Sequence, residues 1–305
     1  MRRNLAPVHY EKPPPMPVIS LIARPGTLDP ALVSTLQGAF GATGDAVWLS
    51  PDEACEFPVA VAPLNLAQVH SEVGAMRVDL NCLPDGDRRK TLLIADMDST
   101  MIGQECIDEL ADEAGVGARV SEITARAMNG ELNFEAALLE RVGLLKGLPV
   151  SVIESVIETR ITLAPGGDTL VRTMKGHGAT TALVSGGFTQ FTGRIGERLG
   201  FDTTRANTLL EQDGKLTGDV ARPILGREAK VATLRELSPD TSKAIAVGDG
   251  ANDLGMIELA GLGVALHAKP IVAASAPQRI DHCDLTALLF LQGYSRDDFS
   301  ISQSC

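Results

Sequence analysis

Two aspartates, Asp96 and Asp98, stand two positions apart directly after the short apolar run 92–95. Where extended backbone persists, side chains two positions apart leave the same side of the chain, so these carboxylates would lie close together. Such a pair demands a cation or a shared proton. Mg²⁺ suits it, because this ion prefers hard oxygen ligands and combines one or two carboxylates with water and phosphate. A carboxylate can also attack phosphorus, so Asp96 could act as nucleophile and Asp98 as acid and base.

Two further apolar runs also end in polar residues. Ser185 and Gly186 follow the run 181–184, and glycine there lets main-chain N–H groups approach a phosphate closely. Asp249 follows the run 244–247 and could supply a further carboxylate to a metal. Alone, each feature would be ordinary turn chemistry, since Asp, Ser and Gly are common turn residues. Their recurrence at three strand ends favours a phosphoryl-transfer site.

Lys230 is the candidate cation for such a site. It lies near the start of the predicted helix 227–237, where the positive end of the helix dipole would add to its effect. On its own it would be a solvated helix residue, so its role depends on the strand-end residues around it. The five histidines show no paired spacing, and we expect none to be catalytic.

Arg141 stands within an apolar stripe formed by Phe134, Leu138 and Leu145. An isolated arginine in such a stripe would pack its stem and extend its head to water. Alternatively, its guanidinium could bind a substrate carboxylate through two hydrogen bonds. Glu105 lies seven residues beyond the second aspartate, and an anion near a phosphate site helps only if the substrate also carries a cation. The two residues suggest an amino-acid substrate.

The chemistry-bearing residues require a parallel α/β sheet to position them. Apolar strands that alternate with helical stretches indicate this sheet, and they are predicted at 92–95, 181–184, 244–247 and 262–266. Ligands bind such sheets beyond the carboxyl ends of the strands. The first two strands are separated by some 80 residues that look helical, far more than a crossover needs. We predict an inserted helical cap at about 104–164.

The first third of the chain has a different pattern. Residues 1–16 are polar and proline-rich, and we expect a flexible arm there. The order β-α-β-β-α-β follows over 17–84, which predicts a small ferredoxin-like domain with its third strand at 57–62. A turn-rich linker at 84–87 places the boundary, so that the second domain runs over 85–305.

The composition excludes several partners. The 305 residues carry a net charge of −12, which opposes binding of nucleic acid or an anionic membrane through the overall field. No apolar run reaches the roughly 18 residues that suggest a membrane-spanning helix. Five scattered cysteines without paired spacing indicate reduced thiols. With no signal-peptide pattern in the first residues, we expect a cytoplasmic protein.

The strand-end residues resemble those of the haloacid dehalogenase (HAD) superfamily. The resemblance rests on an aspartate pair, a serine at a strand end, a lysine and a final acidic loop, here 96–100, 185–187, Lys230 and 248–253. Within that superfamily, Glu105 and the stretches 128–134 and 141–149 are similar to the phosphoserine phosphatase family. This joint match extends from about residue 91 to residue 285.

The resemblance implies a HAD-like Rossmannoid sheet with a helical cap, and an ACT-like regulatory domain before it. It implies Mg²⁺-dependent hydrolysis of O-phospho-L-serine through an aspartyl phosphate, the last step of serine biosynthesis. The implied metal ligands are Asp96, the Asp98 carbonyl and Asp249, supported by Asp253. The implied substrate-binding residues are Glu105 for the ammonium, Arg141 for the carboxylate, Phe134 beside them, and Ser185, Gly186, Lys230 and Asn252 around the phosphate.

Two alternatives remain at this level, and a third is excluded. A phosphotransferase would use the same residues to pass the phosphoryl group to another hydroxyl, such as that of homoserine. A signalling receiver also combines Asp, Mg²⁺, Ser or Thr and Lys on a parallel sheet, although the cap and Asp98 argue against it. A dinucleotide-binding protein would need a GxGxxG motif after a strand, which the sequence lacks. The first domain could serve dimerisation or sensing, and a homodimer is one expected assembly.

Overall fold

The computed structural model of the protein describes residues 16–84, 86–128 and 131–300. The predicted arm therefore lies outside the described residues, apart from Met16, as does part of the predicted linker. Within these ranges, no helix combines the length and apolar character that a membrane crossing requires.

Residues 16–84, here called the N-terminal unit, form a four-stranded antiparallel sheet with two helices. The elements are β1 (Val18–Ile22), α1 (Pro30–Phe40), β2 (Val47–Ser50), β3 (Ala54–Pro58), α2 (Leu66–Gly74) and β4 (Asp79–Leu83). The sheet order is β2-β3-β1-β4, with every pairing antiparallel. Helix α1 begins where the Asp29 side chain accepts a hydrogen bond from the Ala31 N–H, and it ends at Gly41 in the left-handed region. The predicted β-α-β-β-α-β order is confirmed.

The prediction for β3 was wrong in position. The strand covers Ala54–Pro58 instead of 57–62, and Val59 makes only an isolated bridge to Ala42. The cause is a tight turn directly after β2, where Asp52 takes a positive φ of 51°. This turn starts the returning strand at once, so the apolar run beyond Pro58 lies past its end.

Residues 86–300, here called the parallel-sheet unit, are built on six parallel strands in the order β12-β11-β10-β5-β6-β7. The strands are β5 (Leu92–Ala95), β6 (Thr180–Phe188), β7 (Thr203–Asn207), β10 (Ala244–Gly248), β11 (Leu262–Leu266) and β12 (Gln278–Ile280). Helices α7 (Gly167–Gly176), α8 (Thr189–Leu199), α9 (Arg227–Leu237), α10 (Leu254–Leu259), α11 (Pro270–Ser275) and α12 (Ala287–Leu291) accompany them. The central strands are buried throughout, as expected for a sheet covered on both faces. The predicted α/β class is confirmed.

Four helices lie between β5 and α7 and form the cap: α3 (Cys106–Glu113), α4 (Gly117–Met128), α5 (Phe134–Gly143) and α6 (Ser151–Thr159). Two adjacent chain segments join the cap to the sheet. They pair through Gly103 N–H donating to Thr162 O at 3.0 Å and Ala164 N–H donating to Met101 O at 2.9 Å. A hairpin of β8 (Leu209–Gln212) and β9 (Lys215–Val220) contacts the other side of the cap, where Leu216 N–H donates to Leu148 O.

The N-terminal unit packs its open sheet face on the parallel-sheet unit. Ile22, Ala54 and Leu83 join the core cluster of the larger unit. At the edge of β4, the Asn81 amide pairs with both main-chain groups of Arg279 at 3.0 Å, as a neighbouring strand would. Apolar and polar contacts therefore both hold the two units together. The division of the chain at residue 84 stays a prediction.

Candidate active site

Asp96 and Asp98 lie in the turn that follows β5, at the carboxyl edge of the sheet. The Asp96 N–H still donates to Val247 O on the neighbouring strand, so the ladder holds the first aspartate in place. Met97 between them is fully buried, away from the cavity described below. The turn closes through the N–H groups of Thr100 and Met101, which donate to Met97 O. Both carboxylates are thereby fixed at one edge.

The Asp98 carboxylate joins three segments of the chain. Its Oδ1 accepts from the Cys106 N–H at the start of α3, and its Oδ2 accepts from the Ser185 hydroxyl, both at 2.8 Å. Ser185 Oγ accepts in turn from the Gly187 N–H at 2.8 Å. A Cβ added to Gly187 would lie 2.8 Å from Asp98 Oδ2, so only glycine fits there. The end of β6 and the aspartate turn therefore pack directly together.

Lys230 is buried beneath this edge and contacts two carboxylates. Its Nζ lies 2.6 Å from Asp96 Oδ1 and 2.6 Å from Asp253 Oδ1. Burial alone would lower the pKa of Lys230, but these carboxylates outweigh it and raise the pKa above its ordinary value. Burial, followed by the charge of Asp253, raises the pKa of Asp96, and Lys230 opposes this effect. The lysine therefore stays charged and compensates only part of the buried negative charge.

Three buried carboxylates gather at this point. Asp96, Asp249 and Asp253 each offer an oxygen, and these atoms all lie within 4.8 Å of one another. Asp249 Oδ1 accepts from the Thr100 hydroxyl at 3.3 Å. Burial raises the pKa of Asp249, and the nearby Lys269 opposes this effect only in part. Hard oxygen donors with this charge excess fit a divalent cation. The Asp98 carboxylate is not a member of the cluster, and its predicted carbonyl ligand stays a prediction.

The cap contributes the opposite wall. Glu105 Oε1 accepts from the Ser99 hydroxyl at 2.8 Å, and burial, followed by Asp98, raises the pKa of Glu105 to about 7. Arg141 donates to Ala137 O at 3.2 Å and to Thr124 Oγ1 at 3.5 Å. Among the described residues, no carboxylate lies within 4 Å of its guanidinium. This half-buried guanidinium therefore has no direct ion-pair partner, although the charge of Asp108 acts on it from a greater distance.

A cavity of about 850 Å³ separates the cap from the strand ends. Most of the residues predicted for the site line it: Asp96, Asp98, Glu105, Phe134, Arg141, Ser185, Gly186, Asp249 and Asn252. Lys230 and Asp253 do not line the cavity, but Lys230 contacts Asp96, which does. The Phe134 ring crosses from the cap to the sheet, and a Cβ added to Gly186 would lie 3.2 Å from it. The same Cβ would lie 3.9 Å from Asn252 Nδ2, so this amide borders the same glycine.

The sequence model of the haloacid dehalogenase-like hydrolases matches residues 93–258, which is more than half of the chain. The chain belongs to this family. The match begins in β5 and ends in α10, so it contains the aspartate pair, the cap, Lys230 and the acidic loop.

Curated relatives in this hydrolase family cover more of the chain. A phosphoserine phosphatase from Streptomyces coelicolor is 42% identical over 81% of this chain, which spans only 62% of that protein. A phosphoserine phosphatase from Streptococcus thermophilus is 48% identical over 64% of this chain and 93% of its own length. The crystal structure of a HAD family hydrolase from Salmonella enterica serovar Typhi superposes with a TM-score of 0.82 at 33% identity, covering 90% and 98% of the two chains. The last match confirms the HAD-like fold.

Several residues at this hydrolase site were not identified from the sequence patterns used above. Lys269 lines the cavity, and its Nζ lies 3.7 Å from Asp249 Oδ2. Arg227 lines it from the start of α9. Lys269 follows β11, a fourth strand end, so the rule that found the other strand-end residues could have found it. Thr124 carries no comparable signal, because only the packing of the cap brings it to Arg141.

Proposed function

We propose that this chain is a metal-dependent phosphoserine phosphatase that hydrolyses O-phospho-L-serine to L-serine and phosphate. One observation carries the proposal: one cavity has phosphate-handling groups on the sheet side, and an unpaired Arg141 guanidinium with the Glu105 carboxylate on the cap side. These charges complement the carboxylate and ammonium of an amino acid whose side chain carries a phosphate. The reaction would complete serine biosynthesis.

The metal would be held by Asp96, the Asp98 carbonyl and Asp249, with Asp253 supporting them through its contacts with Lys230 and the Gly250 N–H. The donor set supports this, since Asp96, Asp249 and Asp253 are buried together and Lys230 forms ion pairs with only the first and the last of them. Mg²⁺ is our proposal for the ion because all the donors are hard oxygens and the substrate brings phosphate oxygens. When bound, it would neutralise charge on the phosphoryl group.

Asp96 supplies the nucleophile in this proposal. Its carboxylate forms the bond to phosphorus as the bond to the serine oxygen breaks, which gives an aspartyl phosphate. Asp98 gives a proton to the leaving serine oxygen, and then takes one from the water that hydrolyses the aspartyl phosphate. Lys230 keeps Asp96 oriented, and Ser185 with the N–H groups at Gly186 binds phosphoryl oxygens. Asn252 positions the phosphate from the acidic loop.

The cap residues select the amino-acid part. Arg141 binds the substrate carboxylate, because no carboxylate among the described residues forms a direct ion pair with its guanidinium. Glu105 accepts the ammonium, and this cation favours the charged form of a carboxyl whose pKa is otherwise raised. Phe134, whose ring lies against Gly186, packs beside the bound amino acid.

Phosphate release from purified full-length protein with Mg²⁺ tests this function. O-phospho-L-serine should be preferred over phosphoethanolamine, which lacks the carboxylate, and over phosphoglycolate, which lacks the ammonium. Asp96→Asn should abolish release, whereas Asp213→Asn in the β8-β9 turn should not. Equal rates on the three compounds would refute the assignment to phosphoserine. Phosphohomoserine formed from added homoserine would identify a phosphotransferase instead, and a stable phosphoprotein without turnover would identify a receiver.

We also infer a cytoplasmic enzyme that acts on small molecules and not on nucleic acid or a membrane. The net charge of −12 supports this, because anionic polymers and surfaces would be repelled. We propose domains at 17–84 and 85–305, with the cap at about 104–164, because the sheet changes after β4 and paired segments enclose the cap. A homodimer through the ACT-like domain is the assembly proposed, and sedimentation tests it.

A further inference from the structure

A second cavity, of about 610 Å³, lies between the N-terminal unit and the parallel-sheet unit. The turn after β1 and Glu53 form one wall, and the segments that follow β11 and β12 form another. The third wall consists of the two segments that join the cap to the sheet. Small-molecule sites commonly have volumes of about 300–1,000 Å³ and occur at interfaces between domains. The position and size of this cavity therefore suit a ligand.

The charged residues that line this cavity include one arginine without an ion-pair partner. Arg296 is paired with Glu53 at 2.9 Å. The Asp284 carboxylate keeps its charge but is held by the N–H and hydroxyl of Thr286, at 2.8 and 2.5 Å. Arg24 is exposed at the rim, and within the described part of the chain no carboxylate forms an ion pair with it. The rim thus offers a free guanidinium to an anion.

The remaining wall is largely apolar. Ile22 and Phe290 are buried side chains from the two units, and Leu163 and Leu266 complete this part of the lining. His267 binds Cys283 O through its Nε2 at 2.8 Å, so that nitrogen is already engaged. A ligand that matches this wall has an apolar body and one anionic end at Arg24. A planar carboxylate fits a guanidinium through two hydrogen bonds.

We propose that this cavity is an effector site for a small organic carboxylate with an apolar body. Its occupant would contact the cap connection directly, because Ile102, Gly103 and the segment 162–165 form part of the wall. Filling the cavity would restrain the two paired segments that join the cap to the sheet. The ligand would lie outside the active site, in contact with both the N-terminal unit and the parallel-sheet unit.

The same wall reaches the catalytic turn. Ser99 and Thr100 line the cavity, while their hydroxyls donate to Glu105 and Asp249 on the active-site side. An occupant would therefore alter the position of residues that bind the substrate ammonium and the metal. This consequence for turnover rests on the proposed phosphatase function, whereas binding to the cavity does not.

Calorimetric titration of the full-length protein tests the site, with 4-phenylbutyrate as the probe and 4-phenyl-1-butanol as its neutral match. The carboxylate should bind at least tenfold more tightly than the alcohol. Arg24→Gln should weaken carboxylate binding about tenfold, and Arg24→Lys should retain most of it. Arg235→Gln, an exposed arginine on α9, is the matched control and should bind as the parent does. Equal affinity for both probes, or an unchanged Arg24→Gln variant, would overturn the proposal.

Hydrogen exchange locates the bound probe. The Gly103 and Ala164 amides, which pair the two connecting segments, should exchange several-fold more slowly with 4-phenylbutyrate present and unchanged with the alcohol. The KM for O-phospho-L-serine should shift at least twofold in parent protein and not in Arg24→Gln. Binding and slower exchange without a change in KM would support the site but contradict the proposed effect of the ligand on turnover. Absence of both binding and slower exchange would refute the site, whatever the activity of the enzyme.

Discussion

Lys230 Nζ lies 2.6 Å from Asp96 Oδ1, and both side chains are almost completely buried. The lysine also holds Asp253 at the same distance, so one ammonium compensates two carboxylates of the three-aspartate cluster. Lys230 stabilises the fold only while the carboxylates that it contacts are charged. The free energy of unfolding should therefore depend on this lysine, on the pH and on whether a metal ion is bound.

Replacing this lysine should destabilise the metal-free protein. Lys230→Met leaves Asp96 and Asp253 buried without a cation, and removing one partner of a buried pair typically costs about 3–5 kcal/mol. The loss should be largest at pH 8 and smaller at pH 5, because the raised pKa of Asp96 lets it take up a proton. Urea unfolding in the presence of a chelator measures this. Exposed Lys215→Met is the control, and an equal loss in both variants would contradict the assignment.

Arg141 should discriminate between substrates by their carboxylate. Arg141→Ala should lower kcat/KM for O-phospho-L-serine about 10- to 100-fold, since hydrogen bonds to charged groups contribute about 1.5–3 kcal/mol. Phosphoethanolamine, which has no carboxylate, should lose much less. Initial rates with both substrates on parent and variant provide the measurement. Equal losses would mean that the guanidinium acts on the cap structure and not on the carboxylate.

Glu105 should impose a pH dependence on substrate binding. Its pKa of about 7 means that it is charged above pH 7 and neutral below, so kcat/KM for O-phospho-L-serine should fall as the pH drops through 7. Glu105 should affect folding stability in the opposite direction. Its contribution to the free energy of unfolding is fully present below the ordinary pKa of 4.5 and is lost as the pH rises through about 7, because burial penalises the charged form.

Glu105→Gln provides the comparison for this pH profile. The variant should lose the inflection near pH 7 and show a raised KM for O-phospho-L-serine at pH 8. Phosphoglycolate, which carries no ammonium, should show no difference in profile between parent and variant. If the inflection persists in Glu105→Gln, another group titrates there.

Lys269 should oppose metal binding at Asp249. Its exposed ammonium lies 3.7 Å from Asp249 Oδ2, and an exposed ion pair contributes about 0.2–1 kcal/mol. Lys269→Ala should therefore bind Mg²⁺ up to about fivefold more tightly without substrate, and Lys269→Arg should resemble the parent. Calorimetric titration of the metal into chelator-treated protein measures this effect. Weaker binding by Lys269→Ala would show that the lysine supports the loop instead.

The parallel sheet, the helical cap and the polar residues at the strand ends could be predicted from the order of the amino acids alone. Apolar runs such as Leu92–Ala95 specify buried parallel strands, and the polar residues after them fall at one edge by the geometry of such sheets. The four cap helices were predictable because helical periodicity is local. The predicted position of the third strand in the N-terminal unit was wrong, because the apolar run does not reveal the tight turn at Asp52.

Which charged groups pair with one another, and which residues line the same cavity, became clear from the folded chain. The sequence placed Lys230 near the strand ends, but it did not show that its ammonium pairs with both Asp96 and Asp253. Lys269 reaches Asp249 and Arg24 reaches the rim of the second cavity through the packing of segments distant in sequence. Residue type and spacing indicate local backbone conformation, so they predict helices and strands. The stabilisation of a buried charge depends instead on atoms from distant parts of the chain, which come within a few ångströms only when the chain folds.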